Sequence, residues 1–345
     1  MGLCKWRQTG RITRMYESLH NHTTTSDGTQ TYEELLAAAA QTGYGVVAFT
    51  DHDAVPGEAE IARLRQYEGP VKWCLGLEIS SGLPKELGGG PISNIHILGL
   101  FTDPTNEALR EHCAKAQAAR TLRMEKMVAN LRGLGFKITV DDALAASGGE
   151  SVGRPHIVRA LNTYPENAAV IEGMRADMEK AAVGSASVAM DYAHMLERPA
   201  SDYPYRLFLS DDAFIQGIYV DYLYWLDLDA AVSLIRQAGG VAVIAHWYTA
   251  AKKIDAEMLE GMLKARRLDG VEILGNQLNS QARRAEPVLT AMASRTGCLA
   301  TFGVDCHREE DLVSFASDRN LAQRTVGQLR RLTQRADVDL SWSNL

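Results

Sequence analysis

The chain has 345 residues, a formal net charge of −7, and 46% hydrophobic against 23% charged residues. That is an ordinary globular composition, long for one domain but within reach of a large barrel. The acidic balance excludes the basic footprint of a protein that binds long nucleic acid, although a local cationic pocket or bound metals would still receive a small phosphorylated substrate.

Residues 1–14 are basic and irregular and read as a loose lead-in, without the apolar run of a signal peptide. Residues 15–20 predict a short strand that runs into Leu19-His20-Asn21-His22-Thr23-Thr24-Thr25-Ser26-Asp27-Gly28. In an extended segment, side chains two apart project to one face. His20 and His22 can therefore aim at one point, and Asp27 can swing in from the loop. Imidazole is the commonest metal ligand among side chains, so this stretch is expected to form one wall of a metal site. A pair of histidines beside a turn is the plainer alternative.

Residues 31–42 predict a helix closed by Gly43. Residues 45–50 are a continuous apolar run, the mark of a strand buried on both faces, and end in Asp51-His52-Asp53. A helix at 57–67 follows, then a strand at 71–77 ending in Glu78, and one at 94–101 with His96 inside it. A long helix at 104–134 opens a region, reaching to 228, in which no clean β–α alternation survives. It carries Gly153-Arg154-Pro155-His156 and a Tyr- and Asp-rich stretch around 202–227. Alternation returns with a helix at 229–238 and a strand at 241–245, followed at once by His246. A helix at 255–267, a strand at 271–274, a helix at 280–296 and a strand at 299–303 come next, leading to Asp305 and His307. A helix near 326–334 and a polar tail at 336–345, expected to be loose, complete the chain. Seven short apolar strands, most followed by a helix, argue for a parallel sheet covered by helices, closed or open. The expected organisation is an α/β body in two parts, 15–103 and 229–335, with a largely helical insertion or lid at 104–228.

The five cysteines, Cys4, Cys74, Cys113, Cys298 and Cys306, are odd in number and form no CxxC pair. Neither a disulfide framework nor a thiolate zinc site is expected, and a cytoplasmic location is. No run of about 18 apolar residues predicts a membrane span.

Metal-ligand residue types recur at the C-terminal ends of the strands: His20, His22, Asp27, Asp51, His52, Asp53, Glu78, His246, Asp305 and His307, with His96 slightly out of place within its strand. In parallel α/β architectures that edge holds the active site. Imidazole and carboxylate without thiolate suit Mn, Fe or Zn. The candidates are too many for one ion. Two or three ions would use them, with Glu78 as the natural bridge because both its oxygens can bind.

In this order, His20-x-His22 with Ser26-Asp27-Gly28, Thr50-Asp51-His52-Asp53, Gly76-Leu77-Glu78-Ile79, His96, Ala245-His246 and Asp305-x-His307 resemble the motifs of the PHP (polymerase and histidinol phosphatase) superfamily. The similarity is greatest to its stand-alone metal-dependent phosphoesterases. The resemblance implies a distorted (β/α)7 barrel, a trinuclear site of Mn, Fe or Zn, and hydrolysis of phosphate esters. It implies one metal held by His20, His22, Glu78 and Asp305, a second by Glu78, His96 and His246, and a third by Asp27, His52 and His307. The pattern departs after His246, where relatives usually carry proline and this chain has Trp247-Tyr248-Thr249, so Trp247 or Tyr248 is a candidate aromatic wall. Arg154 and His156 resemble an Arg-x-His of the relatives, which implies contact with phosphate; an ordinary helix start is the alternative.

No side-chain nucleophile is needed for such chemistry, since a metal-bridging hydroxide can attack phosphorus while the cations neutralise the phosphate oxygens. Asp51 and Asp53 are each placed to hydrogen-bond a ligand imidazole and fix its tautomer, or else to cap the turn before the next helix. Glu272 and Asn276 read as supporting or packing residues. Tyr219, Tyr222, Tyr224 and Trp225 read as core of the insert rather than a base-stacking platform.

Three functions fit. The first is hydrolysis of a small phosphate monoester, such as a nucleoside monophosphate or 3′,5′-bisphosphate. The second is a 5′–3′ exonuclease on short oligonucleotides. The third is a non-catalytic PHP module that binds metal or a partner. The complete ligand set disfavours the third and the negative charge disfavours the second. The oligomeric state is left open.

Overall fold

The computed structural model describes residues 15–147, 151–274, 280–335 and 339–345. Strand β1 (Tyr16–Ser18), helix α1 (Tyr32–Thr42), β2 (Tyr44–Phe49), α2 (Glu58–Arg65), β3 (Lys72–Gly82) and β4 (Pro91–Leu100) form the first half of the body. The insert follows as α3 (Glu107–Gly133), α4 (Val140–Ser147), α5 (Arg154–Asn162), α6 (Pro165–Ala182), α7 (Ala186–Leu196) and α8 (Tyr203–Leu207), ending in the two-residue strand β5 (Leu226–Asp227). The body resumes with α9 (Leu228–Gln237), β6 (Val241–Ile244), α10 (Ala256–Lys264), β7 (Gly270–Leu274), α11 (Ser280–Thr296) and β8 (Leu299–Phe302). Helices α12 (Glu309–Ser317), α13 (Arg319–Arg324) and α14 (Gln328–Arg335) close it.

The sheet is mixed rather than parallel. Its order is β1-β2-β3-β4-β6-β7-β8, with β5 beside β3, and β4 runs antiparallel to both neighbours. The β3–β4 connection is too short for a crossover, and two strands so joined must form a hairpin. The reversal explains the odd position of His96: β4 enters the sheet at the edge where its parallel neighbours leave, and His96 pairs with Ser80 near the end of β3.

Alternation along the strands sorts their side chains into two apolar layers. Val47, Phe49, Leu75, Leu77, Ile95, Ile97 and Ile244 join the layer under the outer helices. Val46, Ala48, Cys74, Leu98, Leu100, Val241 and Val243 join an inner layer sealed by Leu329 and Leu332 of α14. Glu78 and His96 continue the inner-facing register of Cys74 and Leu98, so the inner face turns from apolar to carboxylate- and imidazole-bearing toward one rim. The insert has its own apolar cluster, including Met127, Phe136, Ile157, Leu161, Met178 and Phe208.

The strand ladder does not close between β1 and β8 among the described residues. The buried side chain of Gln328 lies between the two edges: its Nε2 donates to Glu17 O (3.0 Å) and Phe302 O (2.9 Å), and its Oε1 accepts from Phe302 N–H (2.6 Å). The Glu17 carboxylate accepts from the N–H groups of Gly327 and Leu329 at the start of α14. Past the strands the edges meet directly, as Leu19 N–H donates to Phe302 O and Asp305 N–H to His20 O. The tail at 339–345 is not loose. Asn344 exchanges bonds with Trp73 and Ser343 bridges Cys74, which adds a short extended segment beside β3.

Gln328→Leu would leave the part-buried Phe302 N–H without its partner and take a donor from the Glu17 and Phe302 carbonyls, each worth about 1–3 kcal/mol. A loss of roughly 2–4 kcal/mol in urea unfolding is expected, with little change in the m-value.

Candidate metal centre

Nine residues from six segments converge on the rim where β1, β2, β6 and β8 end, with Glu78 from within β3 and His96 from within β4. Glu78 stands in the middle, fully buried. Its Oε2 lies 3.2 Å from His20 Nε2, 3.3 Å from His22 Nε2 and 3.0 Å from His52 Nδ1. Its Oε1 lies 2.9 Å from His96 Nδ1 and 3.0 Å from His246 Nε2. Asp305 Oδ1 approaches His20 Nε2 (3.5 Å), His22 Nε2 (3.3 Å) and His307 Nδ1 (3.6 Å). On the far side Asp27 faces His307 Nε2 (3.4 Å), His22 Nδ1 (3.7 Å) and His52 Nε2 (3.8 Å).

Four overlapping sets have ligand atoms within 4.8 Å of one another: His22, Asp27, His52 and His307; His20, Glu78 and His246; His20, His22 and Asp305; and His52, Glu78 and His96. Several of these close approaches are not hydrogen bonds. Glu78 Oε2, His52 Nδ1 and His96 Nε2 are buried with no hydrogen-bond partner, although two of them lie 3.0 Å apart. Buried polar atoms are normally paired. A ring of nitrogen and carboxylate lone pairs turned toward one another is what a site for cations requires, and the residues fit that group.

Electrostatics agree. Burial pulls each imidazole toward neutrality, and it wins at His52, pushed down to about 3, and at His96. At His307 the Asp27 charge overcomes burial and raises the pKa to about 10. His20 is likewise raised well above its ordinary value, despite burial, by Glu78 and Glu272. The surrounding imidazoles hold Glu78, burial notwithstanding, well below the usual carboxylate range.

Backbone strain aims these groups. Asp53 (φ 47°), His246 (φ 26°) and Asp305 (φ 55°) all adopt left-handed conformations at the ends of β2, β6 and β8. Such conformations cost about 1–3 kcal/mol each and persist where the surroundings over-determine them. Gly303 is required at the end of β8, because a Cβ there would lie 2.3 Å from the Cβ of His20 and 2.6 Å from Glu272 Oε1.

A PHP domain model matches residues 18–138. A 5′-3′ exoribonuclease from Haemophilus influenzae is 30% identical over 237 residues, 68% of this chain and 69% of that protein. The chain belongs to the PHP family. A 3′,5′-nucleoside bisphosphate phosphatase from Chromobacterium violaceum is 29% identical over 229 residues, covering 66% of this PHP chain and 65%, just under two thirds, of the relative's length. A phosphoribosyl 1,2-cyclic phosphate 1,2-diphosphodiesterase from Eggerthella lenta is 32% identical over 152 residues, 44% of the chain and 56% of that protein. Among solved structures, a provisionally assigned metal-dependent phosphoesterase from Bifidobacterium adolescentis superposes with a TM-score of 0.58 at 26% identity, over 85% of this chain and 88% of that one.

Within this PHP fold, His20, His22, Asp27, His52, Glu78, His96, His246, Asp305 and His307 lie together. Asp51 and Asp53 do not bond a cluster imidazole. Asp51 instead accepts from Thr23 N–H (2.7 Å) and from the hydroxyls of Thr23 (2.8 Å), Ser26 (2.7 Å) and Tyr32 (3.2 Å), so it holds the His22–Asp27 loop. Asp53 accepts from Arg120 (2.9 and 2.6 Å) and Ser80 N–H (2.9 Å), with His112 Nε2 at 3.5 Å. The imidazole-orienting carboxylate is Glu272, whose Oε1 meets His20 Nδ1 (3.0 Å) while Oε2 accepts from His246 N–H (2.8 Å). Arg120 was not visible in the sequence as a site residue, for it lies mid-helix with no local motif. Asn276 lies outside the described residues.

Arg154 donates to Leu209 O (3.2 Å) and stacks over Tyr219, while fully buried His156 accepts from Gly153 N–H (2.7 Å) through Nδ1. Besides the Arg120–Asp53 pair, the insert bonds the rim through Arg159, which donates to Asp27 O (2.9 Å), and Ser151 N–H, which donates to Thr25 O (3.1 Å). Trp247 is not a wall of the centre: it is buried, with Nε1 donating to Ile254 O (2.7 Å). Tyr222 and Tyr219 pack on Arg123, and Trp225 donates to Gly89 O. A cavity of about 500 Å³ lined by Val232, Arg236 and Arg267 holds none of the cluster residues. No described helix is long and apolar enough to cross a membrane, and the described cysteines, Cys74, Cys113, Cys298 and Cys306, form no disulfide with one another.

Breaking the buried Asp53–Arg120 pair from one side leaves an uncompensated charge, which costs about 3–5 kcal/mol. Arg120→Met is expected to lose stability on that scale in denaturant titration. Burial would raise the Asp53 carboxyl, but Arg120 and His112 hold it well below its ordinary value. The pair's contribution is thus fully present above the unfolded carboxyl pKa of about 3.9 and is lost as pH falls toward the depressed folded value. The stability gap between wild type and Arg120→Met should be constant from neutral pH to about pH 5 and narrow in stronger acid.

Proposed function

We propose that the chain is a metal-dependent phosphoesterase that hydrolyses a small phosphate monoester, with a nucleoside monophosphate or 3′,5′-bisphosphate as the favoured class. The observation that carries this reading is the buried Glu78 carboxylate shared among five imidazoles, with Asp27 and Asp305 on either side. Two to three divalent cations (Mn, Fe or Zn) would be held there: one by His20, His22, Glu78 and Asp305, one by Glu78, His96 and His246, and one by Asp27, His52 and His307. When bound, such cations lower the pKa of water and neutralise phosphate oxygens.

The chain's own groups do the positioning. Glu272 fixes His20 with Nε2 turned inward. Asp51 holds the loop that presents Asp27. Arg154 and His156 are proposed to meet phosphate from the insert, Arg154 through a planar fork of donors. The insert at 104–228 acts as a lid, a reading supported by its separate apolar cluster and its bonds to Thr25, Asp27 and Asp53. The rim bonds between His20 and Asp305 support a distorted barrel. A second reading, exonucleolytic cleavage of short oligonucleotides, is favoured by the Haemophilus relative and opposed by the net charge of −7. A cytoplasmic setting fits either reading.

Purified protein is expected to retain transition metal and to release phosphate from p-nitrophenyl phosphate, AMP and adenosine 3′,5′-bisphosphate. Chelation should abolish the activity and Mn, Fe or Zn should restore it. No bound metal, and no hydrolysis after metal is added back, would overturn the reading; cleavage of short RNA without action on mononucleotides would select the exonuclease. If His52 and His307 share an ion, the double alanine variant should lose little beyond either single one. Glu272→Gln is expected to weaken metal retention by about 10–100-fold, measured by competition with a chromophoric chelator.

A further inference from the structure

The metal centre has two unlike flanks. At the Asp27 flank the insert supplies His156, Arg159 and Tyr205, all within the electrostatic reach of Asp27. At the His246 flank stands Tyr248. The turn that carries it is pinned on both sides: Trp247 is anchored by its bond to Ile254 O, and the Thr249 hydroxyl donates to His246 O (3.0 Å). Tyr248, between them, is partly exposed and lies edge-on to the His246 imidazole, with centroids 6.3 Å apart and planes at 66°.

The hydroxyls around the cluster differ in their commitments. Those of Thr23, Ser26 and Tyr32 are spent on Asp51, and that of Thr249 on His246 O. The Tyr248 O–H has no partner among the described residues. A phenol O–H is a hydrogen-bond donor at neutral pH.

We propose that Tyr248 donates a hydrogen bond to the leaving-group oxygen of the substrate, with the phosphoryl oxygens turned toward the flank where Arg159 bonds Asp27 O. This rests on the phosphoesterase reading. In the reaction a water oxygen forms the new P–O bond and the ester P–O bond breaks, its electron pair staying on the leaving oxygen. Of the two water protons, one ends on that oxygen and the other on phosphate. The Tyr248 O–H meets the negative charge on the leaving oxygen as it develops. Help of this kind matters for an alkoxide such as that of a ribose and little for p-nitrophenolate, which is stable as an anion.

Tyr248→Phe removes one oxygen from a partly exposed position, and the tests compare substrates within one preparation, so partial loss of folded protein cancels. The ratio of kcat/KM for p-nitrophenyl phosphate to that for AMP should rise about tenfold, the worth of one hydrogen bond to a charged group. Across a series of aryl phosphates, log kcat should fall more steeply with leaving-group pKa in the variant than in wild type. An unchanged ratio with an unchanged slope overturns the proposal, even if both activities fall. A wild-type protein that hydrolyses neither substrate with Mn, Fe or Zn present removes the phosphoesterase reading itself, and this one with it.

Discussion

A carboxylate with no exposure, ringed by five imidazole nitrogens within 3.3 Å, sets the terms for the rest of this structure. Burying Glu78 as an anion costs several kcal/mol unless positive charge or hydrogen bonds answer it. The imidazoles that surround it cannot all be protonated at once without repelling one another. The backbone therefore has to hold the group rigidly. Glu78 N–H donates to Asp51 O and Glu78 O accepts from Asp53 N–H, which extends the β2–β3 pairing past the regular strands and locks His52 beside the carboxylate. The β3–β4 register then brings His96 to its other oxygen.

Three further carboxylates maintain this arrangement without entering it. Asp51 draws the His22–Asp27 loop onto β2. Glu272 grips His20 and the backbone of His246 together, tying β7 to β1 and β6. Asp53 anchors α3 of the insert through Arg120. The division of labour is physical: an acceptor-only group at a strand end either faces the cluster or satisfies the N–H and O–H donors that shape it. The left-handed backbone at Asp53, His246 and Asp305 is affordable because these bonds over-determine it.

The insert meets the body through charge as much as through packing. Its apolar cluster is separate, and its links to the rim are an arginine on a loop carbonyl, a backbone bond to Thr25 and a buried ion pair. Polar links of this kind are directional, so they can fix where the insert meets the rim while leaving the two cores independent.

The residue types of the centre were legible in the sequence because each is marked locally. Apolar runs of strand length end in His, Asp or Glu, and a strand's period of two puts His20 and His22 on one face. The order of those marked ends carried the family resemblance and with it the expected ligand set. What the sequence by itself did not contain was the pairing of groups far apart in the chain. The antiparallel course of β4, the closing role of Gln328, the docking of the tail on β3, and the roles of Arg120 and Glu272 all depend on it. Arg120 lies 67 residues from Asp53, and Glu272 lies 252 residues from His20. No local period links such positions, and Asp51 and Asp53, alike in sequence and flanking one histidine, part company only when one faces a loop of hydroxyls and the other a buried guanidinium. The chemistry at the strand ends was thus written into local pattern, whereas the partners that orient it were decided by tertiary structure, since hydrogen bonds and ion pairs select by distance in space and not along the chain.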